Sequence, residues 1–360
     1  MATKSFRGRC FTTLLLLLSL SAFYNSIVPT EKAPAQPAEP TVTLTAVGDI
    51  LLDRGIAKKI EKFGIDYPFA HVGDELRKAD IAFGNLECPL SKDGVKVTKP
   101  FVFRAKPEYA ECLEKAGLDM LSLANNHALD CGRDGLVETQ KHLKARGIRW
   151  CGAGATHAAA QVPEVMEVRG LKIAFIGYCD FMPEGTFWRE DRPTIAMADA
   201  ERVTTAVAAG RKAADVVVVS FHWGVEYSTR PSKRQIELAH AATDAGADLV
   251  LGHHPHVLQG LEVVPAGKSK AGRRSLIAYS LGNFVFDSPQ KWTKATANTM
   301  LLRCKLNKSG LVSAEVVPAR IEEFRPRLAT GKEAKLLLAR VMVLAGELGT
   351  KVEQGRVALR

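Results

Sequence analysis

The chain has 360 residues, of which 46% are hydrophobic and 24% charged, and a formal net charge of +10. This balance excludes disordered, fibrous and collagen-like chains and allows one large domain with a small appendage. Lys and Arg are spread out rather than run together, and no basic stretch interleaved with aromatics is present, so a polyanion or an anionic membrane surface is the expected partner and nucleic acid is not.

At the N-terminus, Lys4, Arg7 and Arg9 precede an apolar run from Phe11 to Phe23. A basic segment followed by a short apolar core predicts a secretory signal over residues 1–30. Continuing the run to Val28 brings it towards the ~20 residues of a membrane span, so an uncleaved N-terminal membrane anchor is the alternative. Residues 31–40 are rich in Pro and Ala and read as a linker. Both readings export the chain to the periplasm or another extracytoplasmic space, free or tethered to the cytoplasmic membrane. Cys88, Cys112, Cys131, Cys151, Cys179 and Cys304 follow the linker with no C-x-x-C spacing, and buried thiols are expected rather than a disulfide framework.

Residues 41–325 alternate short apolar runs with helical stretches. The runs that open at Thr41, Asp80, Asp119, Lys172, Asp215, Asp248 and Ser275 lack solvent-facing alternation, which predicts strands covered on both faces. Between them, Pro107 to Gly117 opens on Pro and closes on Gly, as a helix does, and residues 133–146, 198–213 and 231–246 have similar apolar spacing. Strand and helix in alternation predict an α/β class. Residues 326–360 read as a C-terminal helical extension, with an amphipathic helix from Lys332 to Gly346 that packs rather than carries chemistry.

The runs end in polar residues: Asp49; Asn85 and Glu87; Asn125, Asn126 and His127; Asp180; His222; His253, His254 and His256; Asn283. In α/β sheets, ligands collect at these carboxyl ends of strands. Three of the nine histidines fall within residues 253–256. If Pro255 keeps that stretch extended, His254 and His256 point to one side and His253 faces away. Asp49, Asn85, Glu87, Asn126, His127 and His222 add carboxylate, amide and imidazole groups, a mixture that suits Zn, Mn or Fe at one or two positions. Two adjacent ions would clamp a phosphoryl or amide centre and lower the pKa of a bound water.

Each of these residues also has a structural reading. Asp49 could cap a helix beginning near Asp53, Asn125 and Asn126 could shape a turn, and Glu87 could be a solvated loop acid. Their repetition at the same end of successive strands favours a site. Asp53 and Asp130 could orient histidines, or serve in surface ion pairs. Arg54, Asn85, Asn125, Glu226 and Asn283 are the expected substrate-binding residues, and His127 and His254 the candidate acid/base groups. Phosphate loops of the G-x-x-x-x-G-K-S/T and G-x-G-x-x-G types are absent, as is the G-x-S-x-G nucleophile elbow.

Taken in order, Gly48-Asp-Ile-Leu-Leu-Asp-Arg54, Gly84-Asn-Leu-Glu87, Ala124-Asn-Asn-His-Ala-Leu-Asp-Cys-Gly132, His222-Trp-Gly-Val-Glu-Tyr227, Gly252-His-His-Pro-His-Val257 and Ser280-Leu-Gly-Asn-Phe284 resemble the CapA family of poly-γ-glutamate capsule synthesis proteins. The resemblance runs from about Val42 to Asp287. It implies a fold similar to the calcineurin-like metallophosphoesterases, a four-layer α/β/β/α sandwich with a metal site at the strand ends. Carried over by position, Asp49, Glu87, Asn126, His127, His222, His254 and His256 would line that site, with all but His127 as ligands of Mn, Zn or Fe. The first strand reads Val47-Gly-Asp49 where those enzymes have Asp-x-His, and the third reads Asn125-Asn-His127 without the usual Gly-Asn-His-Asp/Glu. A two-metal centre and phosphoesterase activity therefore do not carry over by position. The family's association with a γ-linked glutamate polymer implies that anionic polymer as the partner.

Three functions stay open. The leading one is an exported protein that acts on or binds an anionic polymer at a metal-containing cleft, as a hydrolase or transferase. The second is a non-catalytic polyanion-binding or export accessory, and the third an envelope metallophosphoesterase.

Overall fold

A computed structural model describes residues 39–267, 272–287 and 295–359. The expected signal or anchor over residues 1–30 and the linker as far as residue 38 lie outside the described residues. In chain order the strands are β1 (Val42–Ile50), β2 (Ile81–Leu86), β3 (Met120–Ser122), β4 (Arg149–Cys151), β5 (Ala153–Gly154), β6 (Glu164–Val168), β7 (Leu171–Cys179), β8 (Thr194–Ile195), β9 (Val216–His222), β10 (Leu249–His253), β11 (Leu261–Pro265), β12 (Arg274–Ala278), β13 (Asn283–Val285), β14 (Asn298–Asn307), β15 (Gly310–Glu322), β16 (Arg325–Leu328), β17 (Val352–Glu353) and β18 (Arg356–Val357). The helices are α1 (Arg54–Phe63), α2 (Gly73–Arg77), α3 (Ala110–Ala116), α4 (Gly132–Ala145), α5 (His157–Ala160), α6 (Ala200–Ala213), α7 (Lys233–Asp244) and α8 (Gly331–Gly346).

A ten-stranded sheet runs β17-β18-β15-β14-β1-β2-β3-β4, with β13 beside β1 and β16 beside β15, and a six-stranded sheet runs β11-β12-β10-β9-β7-β6. Alternation along the strands sorts their side chains into separate layers. Leu44, Ala46 and Phe83 of the first sheet meet Phe175, Val218 and Leu251 of the second in a core between the sheets. Phe83 and Phe175 stack there with centroids 5.9 Å apart, each ring contributing roughly 1.5–3 kcal/mol by burial. The opposite faces carry helices. Ile56 of α1, Leu113 of α3 and Leu136 of α4 pack with Ile50, Ala82 and Leu121 on the ten-stranded sheet. Val203 and Val207 of α6 and Leu238 and Ala242 of α7 pack with Val217, Val219 and Val250 on the six-stranded sheet. The architecture is thus the α/β/β/α sandwich expected from the resemblance, and β1, β2, β9 and β10 are covered on both faces, as their apolar runs predict.

Local signals set the helix limits. Asp199 caps α6 by accepting from the backbone N–H of Glu201 and Arg202. Ser232 and Gln235 form a reciprocal capping box at α7. The stretch from Pro107 begins as a 3₁₀ turn, continues as α3 and stops at Gly117, whose φ of 85° only glycine adopts freely. Within the C-terminal extension, α8 places Leu337, Val341 and Ala345 in the inter-sheet core, and β17 and β18 extend the larger sheet.

Register then brings the polar strand ends together. Asp49 pairs in parallel with both Asn85 of β2 and Asn283 of β13. On the other sheet His222 pairs with His253. Gly48 allows the close crossing beneath Asp49, where an added Cβ would fall 1.9 Å from the Gly282 carbonyl oxygen. The six cysteines of the domain are buried free thiols. No helix among the described residues is long and apolar enough to cross a membrane.

Candidate metal centre

Glu87 sits immediately beyond β2 and is completely buried. Neither of its carboxylate oxygens has a hydrogen-bond partner among the described residues. Three imidazoles face Oε1 instead: His256 Nε2 at 3.7 Å, His127 Nε2 at 3.9 Å and His222 Nε2 at 3.9 Å. Two ligands about 2.0–2.1 Å from one Zn ion stand a few tenths of an ångström closer together than this. Buried acceptors are almost always satisfied. A carboxylate held dry among imidazoles, with no donor of its own, is therefore the donor set a divalent cation would complete. Two triads of such donors share Glu87, one with His254 and His256 and the other with Asp49 and His222.

The surrounding amides orient these groups. Asn85 Nδ2 donates to Asp49 Oδ1 at 2.8 Å and lies 3.3 Å from His222 Nδ1. Asn125 Nδ2 donates to Asn85 Oδ1 and to the Leu86 carbonyl, and its own Oδ1 accepts from the His127 backbone N–H. Asn283 Oδ1 lies 2.9 Å from His256 Nδ1, while its amide nitrogen reaches the carbonyls of His256 and Thr296. Three of the five expected substrate-binding residues thus spend their side chains on other members of the cluster. Glu226 is exposed at the rim, and its charge helps raise the pKa of His256. Arg54 also lies at the rim, over the Phe103 ring at 4.6 Å.

Asn126 Oδ1 stands 2.9 Å from His222 Nε2, which lies 3.2 Å from His254 Nδ1. His254 and His256 do converge, with ring centroids 5.7 Å apart, but not through an extended backbone. Both residues have positive φ, 94° and 58°, so the segment folds over the end of β10. His253 does not face away either. Its ring is buried between the sheets with Nδ1 3.4 Å from Asp49 Oδ1, because it is the last residue of β10 and opposes Asp49 across the sandwich. Strain of this kind concentrates at functional sites, and Arg54 and Tyr227 at the same rim also have positive φ.

Electrostatics divide the cluster. Burial raises the Glu87 pKa well above the ordinary carboxyl range, and the Asp49 charge adds to the effect. Burial acts on Asp49 in the same direction but is outweighed by His253 and His256, which hold its carboxyl well below that range. His222 is held neutral by burial and by His254, and His254 is lowered to about 3 by burial and His256. For His256, burial is overcome by Glu87 and Asp49, and its pKa rises to about 9.

His127 has its own support. Its Nδ1 lies 2.7 Å from Asp130 Oδ2, and Phe103 stacks on the ring at 4.1 Å. Burial lowers its pKa, against the pull of Asp130. Asp130 also accepts from the Phe103 N–H at 2.6 Å and pairs with Lys99 at 2.6 Å. Lys99 Nζ donates in turn to the Asn126 carbonyl. Lys99, Phe103, Phe181, Phe286 and Asp287 were not singled out from the sequence. Lys99 and Phe103 lie on the long loop after β2, and Phe181, Phe286 and Asp287 come one or two residues after the ends of β7 and β13.

A family described as "Bacterial capsule synthesis protein PGA_cap" matches residues 43–288. The chain is 36% identical over 297 residues to the capsule biosynthesis protein CapA of Bacillus anthracis, covering 80% of this chain and 70% of that one. It is 33% identical over 324 residues to the PGA biosynthesis protein CapA of Bacillus subtilis strain 168, covering 89% and 82%. Among solved structures, the NAD nucleotidase of Haemophilus influenzae aligns with a TM-score of 0.47 at 14% identity, covering 84% of this chain and 55% of that one. The match over most of the domain, together with the two CapA relatives, makes this chain a member of the bacterial capsule synthesis protein family.

Proposed function

We propose that this protein works outside the cytoplasmic membrane in capsule biosynthesis, where it performs metal-dependent hydrolysis or transfer on an anionic γ-linked glutamate polymer. The observation that carries this reading is Glu87, a fully buried carboxylate with both oxygens unpartnered among the described residues and three imidazole nitrogens facing it. Membership in a capsule synthesis family supports the polymer, and the net charge of +10 suits an anionic one.

Glu87, His222, His254 and His256 would hold the ion, with Asp49 and Asn126 at the edge of the set. Once bound, a divalent cation supplies a Lewis acid and a water of lowered pKa. The chain's own residues do the rest. Asp130 holds His127 through Nδ1 and leaves Nε2 directed at the cleft, where the neutral ring can take up a proton and return it to a leaving group. Asp49 fixes the cluster by accepting from Asn85 and from the His254 backbone. Phe181 packs against His254 at 4.3 Å and shields that side from water.

Elemental analysis of the purified full chain tests the reading. Near-stoichiometric Mn, Zn or Fe is expected in the wild type and its loss in E87A and H256A. A wild-type chain that holds none after dialysis against Mn and Zn would leave the non-catalytic polyanion-binding reading in its place.

A further inference from the structure

Arg54 stands out among the residues around the cleft. It precedes the body of α1 in a left-handed conformation, φ 55°, which a non-glycine side chain adopts at a cost. Its guanidinium lies 4.6 Å from the centroid of Phe103 and 5.7 Å from that of Phe286. Each ring in turn abuts the metal cluster: Phe103 lies 4.1 Å from the His127 ring, and Phe286 5.0 Å from the His256 ring. Arg54 is therefore one aromatic ring away from the metal cluster on two sides. Asp287 engages Nη2 and also accepts from the Gly55 backbone N–H at 3.1 Å. The Nε–H is buried without a partner among the described residues, although the side chain as a whole is 30% exposed.

A strained backbone, two aromatic supports and a carboxylate tether together fix a guanidinium that is still partly exposed beside the cleft. Such a group matches the oxygens of a carboxylate or a phosphate, and lysine would not replace it. A purely structural ion pair would not need the strain.

We propose that Arg54 is an oxyanion clamp, docking a carboxylate or phosphate group of the substrate beside the bond presented to the metal cluster. Asp287 positions the guanidinium and does not touch the substrate. This inference deepens the polymer reading above and rests on it for the choice of carboxylate over phosphate.

Calorimetric titration of the full chain tests it with two probes, a short γ-linked glutamate oligomer and inorganic phosphate, for wild type, R54Q, R54K and D287N. Metal content is measured on each sample. R54Q is expected to weaken binding by about 10–100-fold with metal content unchanged, and R54K to recover only part of the loss. D287N leaves an amide that can satisfy only one of the two donors Asp287 holds, Arg54 Nη2 and the Gly55 N–H, so it is expected to weaken binding less than R54Q does, with metal content unchanged. If the wild type binds phosphate alone and R54Q loses it, the clamp stands and the polymer reading falls. Unchanged affinity of R54Q for every probe that the wild type binds, or no binding of either probe by the metal-loaded wild type, overturns the clamp. Metal content judges the metal centre separately.

Discussion

Glu87 is fully buried, and neither of its carboxylate oxygens has a hydrogen-bond partner among the described residues. A buried carboxylate without a donor costs free energy that the folded chain must offset elsewhere, and here burial and Asp49 both oppose its charge. Replacing it by Gln keeps the shape and removes the charge. The chelated E87Q protein should therefore melt about 1.5–3 °C above the chelated wild type, the shift expected for about 1–2 kcal/mol in a domain of this size. It should also lose the rise in melting temperature that added Mn or Zn gives the wild type. Thermal melts with and without chelator check both effects. A chelated E87Q that melts lower would mean that the carboxylate is stabilising without metal, which the orphaned oxygens argue against.

At the scale of elements, the site depends on the loop between β7 and α6. Phe181 of that loop packs on His254 and His222, and the rest of the connection, which includes β8, is held by the β5–β8 pair, by Arg133 at the Phe187 and Pro193 carbonyls, and by His157 of α5. The His157 backbone N–H donates to the Glu190 carbonyl at 2.8 Å, and its Nε2 accepts from the Met197 N–H at 3.2 Å. Burial and the nearby Arg202 lower its pKa against the opposing Glu190. A histidine held neutral in the fold takes up protons more readily once unfolded. Its contribution is thus present above its ordinary value of about 6.5 and lost as pH falls through the lower folded value. Wild type should lose more stability than H157Q between about pH 7 and 5, since Gln keeps an acceptor but does not titrate. Parallel melts across that range check this, and equal slopes would rule it out.

The elements also show why the sequence was legible where it was. β1, β2, β9 and β10 are buried on both faces, so each leaves a short, mostly apolar run, broken in β1 by Thr43 and Thr45 and in β9 by Ser220, that ends at its functional residue. β14 is buried from Thr299 to Leu302 and turns Arg303 and Lys305 outward only in its second half, and β15 alternates from Ala314 on, so neither leaves the strand-end motif that marks β1, β2, β9 and β10. The convergence of His254 and His256 could be read from residue spacing, but its cause could not. Left-handed backbone on either side of Pro255 does what an extended segment was expected to do. Asp287 and Lys99 act through contacts with Arg54 and Asp130 that lie far off in sequence, where no local pattern marks them.

For the whole molecule, the donors are divided between the two sheets. Asp49, Glu87 and Asn126 come from strand ends of the ten-stranded sheet, and His222, His254 and His256 from those of the six-stranded sheet. An ion held by both sets would join the two sheets at one rim, while away from that rim the sheets are joined by the apolar core and by ion pairs such as Arg169–Asp80 and Arg149–Glu164. Binding to the folded state stabilises by about 2.7 kcal/mol when free ligand is 100-fold above its Kd, but the location of the gain distinguishes a bridge from a bystander. Chelation should therefore raise amide hydrogen exchange in residues 85–103, 124–131, 222–228 and 253–259 and leave the β14–β15 ladder unchanged. A uniform rise over both regions would mean that metal acts only on global unfolding. No rise at the rim would mean that the ion, if bound, sits on one sheet, and the shared position of Glu87 between the two triads would then have no mechanical consequence. A rise confined to the rim would tie the metal centre to the architecture, since the donors of the two sheets meet there.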